Sequence, residues 1–154
     1  MAYAVIRVRG QPDVNHDIKH TMMLLGLNKV NHCAIVPQND STEGMLQKIK
    51  DYCTWGEVDA ETLTEMISRR GKTEGGGDLD DEFLKANSQF ASAAELAEAI
   101  LNNDCRLRDV DGAKPLFRLH PPVKGYEGIK RPFSTGGALG YRGAEINALI
   151  KRML

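Results

Sequence analysis

Residues 4–37, AVIRVRGQPDVNHDIKHTMMLLGLNKVNHCAIVP, hold two short β patterns on either side of one helical pattern. Ala4, Ile6 and Val8 alternate with Val5, Arg7 and Arg9, which predicts a strand over 4–9 with one apolar side. Gly10, Pro12 and Asp13 break it, and Asn15 suits the N-cap of the helix that follows. Ile18, Met22 and Leu25 are spaced as that helix's buried stripe. Gly26-Leu27 predicts a Schellman ending, with Gly in the left-handed position and the next apolar residue packing back. His32 to Val36 reads as a second strand, stopped by Pro37.

Outward from this unit, Asn39-Asp40-Ser41 is turn chemistry. Thr42 to Tyr52 then predicts a second helix with Met45, Leu46, Ile49 and Tyr52 inward. Trp55, at the end of that helix, is expected in the core or at a hinge. The unit so far lacks a closing strand, and Leu116 to His120 (LFRLH) alternates well enough to supply it. Between them, helices are expected after Asp59 (Leu63, Met66 and Ile67 inward, ending near Gly71), after Asp80 (Phe83, Leu84) and after Ser92. The last opens on a capping box with Glu95 and carries Leu96, Ile100 and Leu101 inward. Lys72 to Gly77 reads as a flexible loop tip, and Ala144 to Met153 as a terminal helix with Ile146, Leu149 and Ile150 inward. The expected fold class is α/β (α+β), a compact β-α-β-α-β core. Its parts would be residues 1–58 with 114–121 as the core, 59–113 as an acidic helical insertion, and 122–154 as a basic extension with the terminal helix.

Composition narrows the function. The 154 residues are 42% hydrophobic, and a chain of this length buries about 70% of its unfolded surface without a disulfide or metal staple. The three cysteines, Cys33, Cys53 and Cys105, are widely spaced and never C-x-x-C. That pattern argues against a disulfide framework or zinc knuckle. The longest apolar runs are too short to span a membrane, and MAYAVIR lacks a signal peptide's apolar stretch. A soluble protein of a reducing, cytoplasmic compartment is expected.

The net charge of −1 conceals a segregation: residues 1–58 sum to 0, 59–113 to −7 and 114–154 to +6. Either the pieces neutralise one another within one fold, or the basic end faces a polyanion. The company kept by the positive charge favours the polyanion. Residues 121–143, PPVKGYEGIKRPFSTGGALGYRG, mix Gly and Pro with Lys124, Lys130, Arg131 and Arg142 and with the rings of Tyr126, Phe133 and Tyr141. No regular secondary structure is expected there. Gly permits close approach of backbone to phosphates, Lys and Arg release counterions, and rings stack on unpaired bases. A mobile solvated connection to the terminal helix is the plain alternative.

Enzymatic readings find little support. Gly136-Gly137-Ala138-Leu139-Gly140 has neither G-x-G-x-x-G spacing nor a following G-K-[ST]. His16 and His20 stand at i, i+4, a metal-compatible spacing, but H-E-x-x-H is absent. No G-x-S-x-G occurs. Cys33 points to the opposite strand face from His32 and reads as a buried small hydrophobe. No catalytic residue, metal, cofactor or small-molecule substrate is expected.

Six stretches together resemble a known family: Tyr3–Gly10 (YAVIRVRG), Val30–Pro37 (VNHCAIVP), Gly44–Trp55 (GMLQKIKDYCTW), Phe117–Pro122 (FRLHPP), Gly125–Arg131 (GYEGIKR) and Gly136–Arg142 (GGALGYR). The chain is similar to the large-subunit ribosomal protein L-thirty family (L-seven in eukaryotic naming) in its archaeal form. The long basic N-terminal extension of eukaryotic members is absent. The resemblance implies a split βαβ, ferredoxin-like core with an antiparallel sheet, and a structural role in the large ribosomal subunit. The implied partners are large-subunit ribosomal RNA and neighbouring ribosomal proteins. By matching position, the RNA-facing residues would be Arg7, Arg9, Asn31, His32, Gly44, Met45, Lys48, His120, Lys124, Lys130, Arg131, Gly136, Gly137 and Arg142. The alternative is a protein-interaction module in which the acidic helical insertion binds a basic protein.

Overall fold

The computed structural model describes residues 2–10, 14–110 and 112–154. Pro12 and Asp13, expected to break the first strand, lie outside the described residues. In chain order the elements are β1 (Ala2–Arg7), α1 (His16–Leu24), β2 (His32–Pro37), α2 (Asp40–Ile49), β3 (Cys53–Glu57), α3 (Ala60–Arg70), α4 (Asp81–Asn87), α5 (Ala93–Leu101), β4 (Phe117–Arg118), β5 (Gly128–Pro132), β6 (Gly137–Tyr141) and α6 (Glu145–Met153). One sheet runs β4-β2-β1-β3-β6-β5. Its β4-β2-β1-β3 part is antiparallel, as the α+β reading expects, while β6 joins β3, and β5 joins β6, in parallel.

The helix ends follow from local chemistry. Asn15, Asp59, Asp80 and Ser92 each accept a backbone N–H in the first turn of α1, α3, α4 and α5. At the end of α1, Leu27 N–H donates to Met22 O at 2.8 Å and Gly26 N–H to Met23 O at 3.0 Å. With Gly26 at φ +82°, this is the predicted Schellman pair.

Four expectations are corrected. The closing strand is β3, directly after α2; Leu116–His120 gives only the two-residue β4, paired with β2. The second helix starts at Asp40, since Asn39 accepts from Thr42 N–H at 2.8 Å, and it stops at Ile49. Trp55 is in the core, as expected, but it belongs to β3, opposite Val5, and not to the end of a helix. The tail is irregular over 121–127, as expected, but regular over 128–141, with β6 hydrogen-bonded between β3 and β5.

β1 is buried on both faces along its whole length, so the reading of one apolar side is also overturned. Tyr3 and Val5 pack with Met22, Leu27, Leu46, Ile49 and Trp55 beneath α1 and α2. Ala2, Ala4 and Ile6 pack on the other face with Leu63, Met66 and Ile67 of α3, Leu96 of α5 and Ile146, Leu149, Ile150 and Met153 of α6. A central strand covered on both sides reads as a continuous apolar run, and Ala2–Ile6 is one. The segment between β3 and β4 thus supplies the second layer over the sheet.

Candidate nucleic-acid interface

The C-terminal end of β1 and the N-terminal ends of β2 and β3 share one edge of the fold, because β1 is antiparallel to both. Segment 121–132 crosses this end from the β4 side to the β5 side. Its fastening includes two residues that sequence reading assigned to RNA, Asn31 and Arg142. Tyr126 packs against Val8, Ala138 and Leu139 and donates its hydroxyl to Asn31 Oδ1 at 2.6 Å. Burial pushes the Tyr126 phenol well up from its ordinary value, so it stays a neutral donor. Asn31 adopts φ 70°, a conformation that asparagine tolerates better than most residues. Arg152 donates to Val123 O and Gly125 O and pairs with Glu127 at 3.5 Å.

Arg142 is the second fastener. It is 5% exposed, donates to Thr54 Oγ1 and Ala138 O at 2.8 Å each, and lies 3.6 Å from Glu127. Its guanidinium sits over the Phe133 ring, 4.8 Å from the centroid. Burial lowers its pKa and Glu127 opposes that shift; an arginine stays charged through such changes. Replacing Arg142 with Met removes these bonds and leaves Ala138 O unpaired. The variant should lose about 2–3 kcal/mol in thermal melts and be cut faster by protease within 121–143.

Arg7 is likewise internal. It is 1% exposed and donates to Leu27 O at 2.9 Å and Arg9 O at 3.0 Å, holding the α1–β2 connection to the end of β1. Arg7 and Arg142 are therefore corrected from RNA-facing to internal positions: each guanidinium is enclosed and bonded to this chain. His32 is also buried. Burial first, and then Arg118, lowers its pKa, so it is neutral at pH 7. Gly137 is buried, and a Cβ there would collide with Arg131 O.

Most of the remaining positions are open to solvent, while Arg9, Asn31 and Met45 are half-buried. Lys124, Lys130, Arg131, His120 and Gly136 are exposed, and β5 is exposed along its length. Among the described residues, Lys124, Lys130 and Arg131 form no ion pair. Arg9 is half-buried, 5.2 Å from the Tyr52 ring centroid, with a bond to Asp51 O at 3.3 Å. Lys29 and Arg118 are two further exposed cations that sequence reasoning did not assign. Both are exposed beside His32, with Arg118 opposite it in register. The alternation of Leu116–His120 was the available signal for Arg118. Gly44, Met45 and Lys48 lie apart on α2, and Met45 lines a groove beside β2. Of the tail's rings, Tyr126 and Phe133 are engaged internally; Tyr141 is half exposed and donates to Glu57.

Comparisons with known proteins cover the chain from end to end. The family described as ribosomal protein L30p/L7e matches residues 3–53, the stretch from β1 into β3. The large ribosomal subunit protein uL30 of Methanococcus vannielii is 49% identical over 156 residues, covering 100% of both chains. The protein of the same name from Methanoregula boonei is 47% identical over 98% of this chain and 99% of its own. That of Methanosphaera stadtmanae is 45% identical over 99% of each. Identity at this level over full length leaves no part of the fold unmatched, and the chain belongs to the ribosomal protein L30p/L7e family.

Proposed function

We propose that this chain is a non-catalytic structural constituent of the large ribosomal subunit, in the cytoplasm, that binds large-subunit ribosomal RNA. Its full-length similarity to archaeal proteins named large ribosomal subunit protein uL30 supports the ribosomal part. The observation that carries the RNA part is the row of exposed cations along one end of the sheet: Arg118, Lys29, Lys124, Lys130 and Arg131. Arg9, Asn31, His120 and Gly136 stand along the same rim; Lys48 would make a separate contact on α2. The acidic segment 59–113 forms helices over one sheet face, and among the described residues none of its carboxylates pairs with these cations. The mechanism is electrostatic and shape-based, with phosphate neutralisation and counterion release at the rim.

The test is binding of the purified full-length protein to large-subunit RNA across a salt series. Engagement of about six phosphates predicts an affinity loss of roughly 10³-fold between 50 and 200 mM salt. A flat salt response, or no binding at low salt, would overturn the RNA reading. Truncation at residue 121 is unsuitable as a control, because α6 contributes Ile146, Leu149, Ile150 and Met153 to the core.

A further inference from the structure

The outer edge of β2 is only half used. β4 pairs with it at His32–Arg118 and Cys33–Phe117. Continued by two residues, that register sets Pro115 opposite Ile35, and proline has no N–H for a ladder. The chain bends at Pro115 and Leu116. Leu119 N–H donates to Asn31 O at 3.2 Å, which fixes the alternation: Cys33, Ile35 and Pro37 direct their backbone groups outward, Ala34 and Val36 toward β1. Among the described residues, Ile35 N–H and C=O and Pro37 C=O find no partner on that side.

Beside this open edge lies a groove of about 410 Å³. Met23 and Leu24, 55% and 62% exposed, form its rim with Met45 and Pro115. Across the strand is a smaller groove lined by Ile35, Ile100 and Leu107. Among the described residues, Arg106 is the single charged side chain lining either one. Unpaired strand edges flanked by apolar pockets bind extended peptides by strand addition.

We propose that the β2 edge receives an extended segment of a neighbouring protein. The segment bonds to Ile35 and Pro37, places apolar side chains against Met23 and Leu24, and offers a carboxylate to Arg106. A polypeptide presents N–H and C=O at strand spacing, as the edge requires. RNA would bring phosphates to one arginine set in a segment of net charge −7. The inference rests on the ribosomal reading above.

The experiment places p-benzoylphenylalanine at Leu24, an exposed position, in the full chain assembled into large subunits. Cross-linked products are identified by mass spectrometry, and exchange of the Ile35 amide is compared between free protein and subunit. The expected result is a cross-link to an extended segment of another large-subunit protein, with Ile35 exchange slowed by about 10²-fold or more. A chain that enters subunits but cross-links to RNA, to a second copy or to nothing overturns this inference alone. Unchanged Ile35 exchange does the same. A chain that does not enter large subunits overturns the ribosomal reading and this inference with it.

Discussion

Replacing Lys124, Lys130 and Arg131 together by glutamate should weaken binding to large-subunit RNA about 10³-fold at low salt. Each residue is exposed and, among the described residues, forms no ion pair, so each can give its charge to a phosphate. A hydrogen bond to a charged group contributes about 1.5 kcal/mol or more, and three such losses compound to that figure. The slope of log affinity against log salt should flatten by about three units, one per lost phosphate contact. The thermal midpoint should hold, since none of the three is fastened to the core as Arg142 is. Filter binding over a salt series reads the first effect and circular dichroism the second. Unchanged affinity and slope would remove these residues from the interface.

The largest stability effect is expected at a glycine. A Cβ on Gly56 would lie 1.9 Å from Gly143 O and 2.9 Å from its carbonyl carbon. Both are backbone atoms where β6 turns into α6, so no side chain can rotate aside. Gly56→Ala must push the β6–α6 junction off β3, at a cost of about 3 kcal/mol or more. For a domain this size the midpoint should fall by about 10 °C. Gly44→Ala is the control. Nothing stands within 4 Å of its Cβ, and in mid-helix alanine should stabilise by about 0.5–1 kcal/mol. Equal melting of the two variants would mean that the close approach at Gly143 is not maintained in solution.

Gly56 also explains which parts of the fold were legible. Caps are local events between a side chain and an N–H two or three residues away, so Asn15, Asp59, Asp80 and Ser92 could be read directly. The Schellman end at Gly26-Leu27 was legible for the same reason. β3 was hidden because Cys53-Thr54-Trp55-Gly56-Glu57 lacks clean alternation, and Ile49 and Tyr52 prolong the helical spacing past Ile49. In β6, Gly137 is required by the nearness of Arg131 O, so steric demands from distant strands replaced the β-branched residues that would mark a strand. The cations show a similar split. Their collection in the tail was visible as composition. That Arg7, Arg142 and Arg152 serve as internal ties was not, because each is bonded to a partner far away in sequence.

The seating of β6 has a consequence for how the molecule is made. Thr54 and Gly140, bonded to each other, are 86 positions apart, and α6 is the last element of the chain. Synthesis proceeds from the N-terminus, and early segments fold first. β1, α1, β2, α2 and β3 can therefore pair while Ala4, Ile6 and Cys33 still lack the cover of α3, α5 and α6. Contacts of such long range close late and slowly. The second layer closes only when α6, the last element made, seats beside α3 and α5, and a chain cut short by its final turns keeps the cover of α3 and α5 while losing that of Ile146, Leu149, Ile150 and Met153.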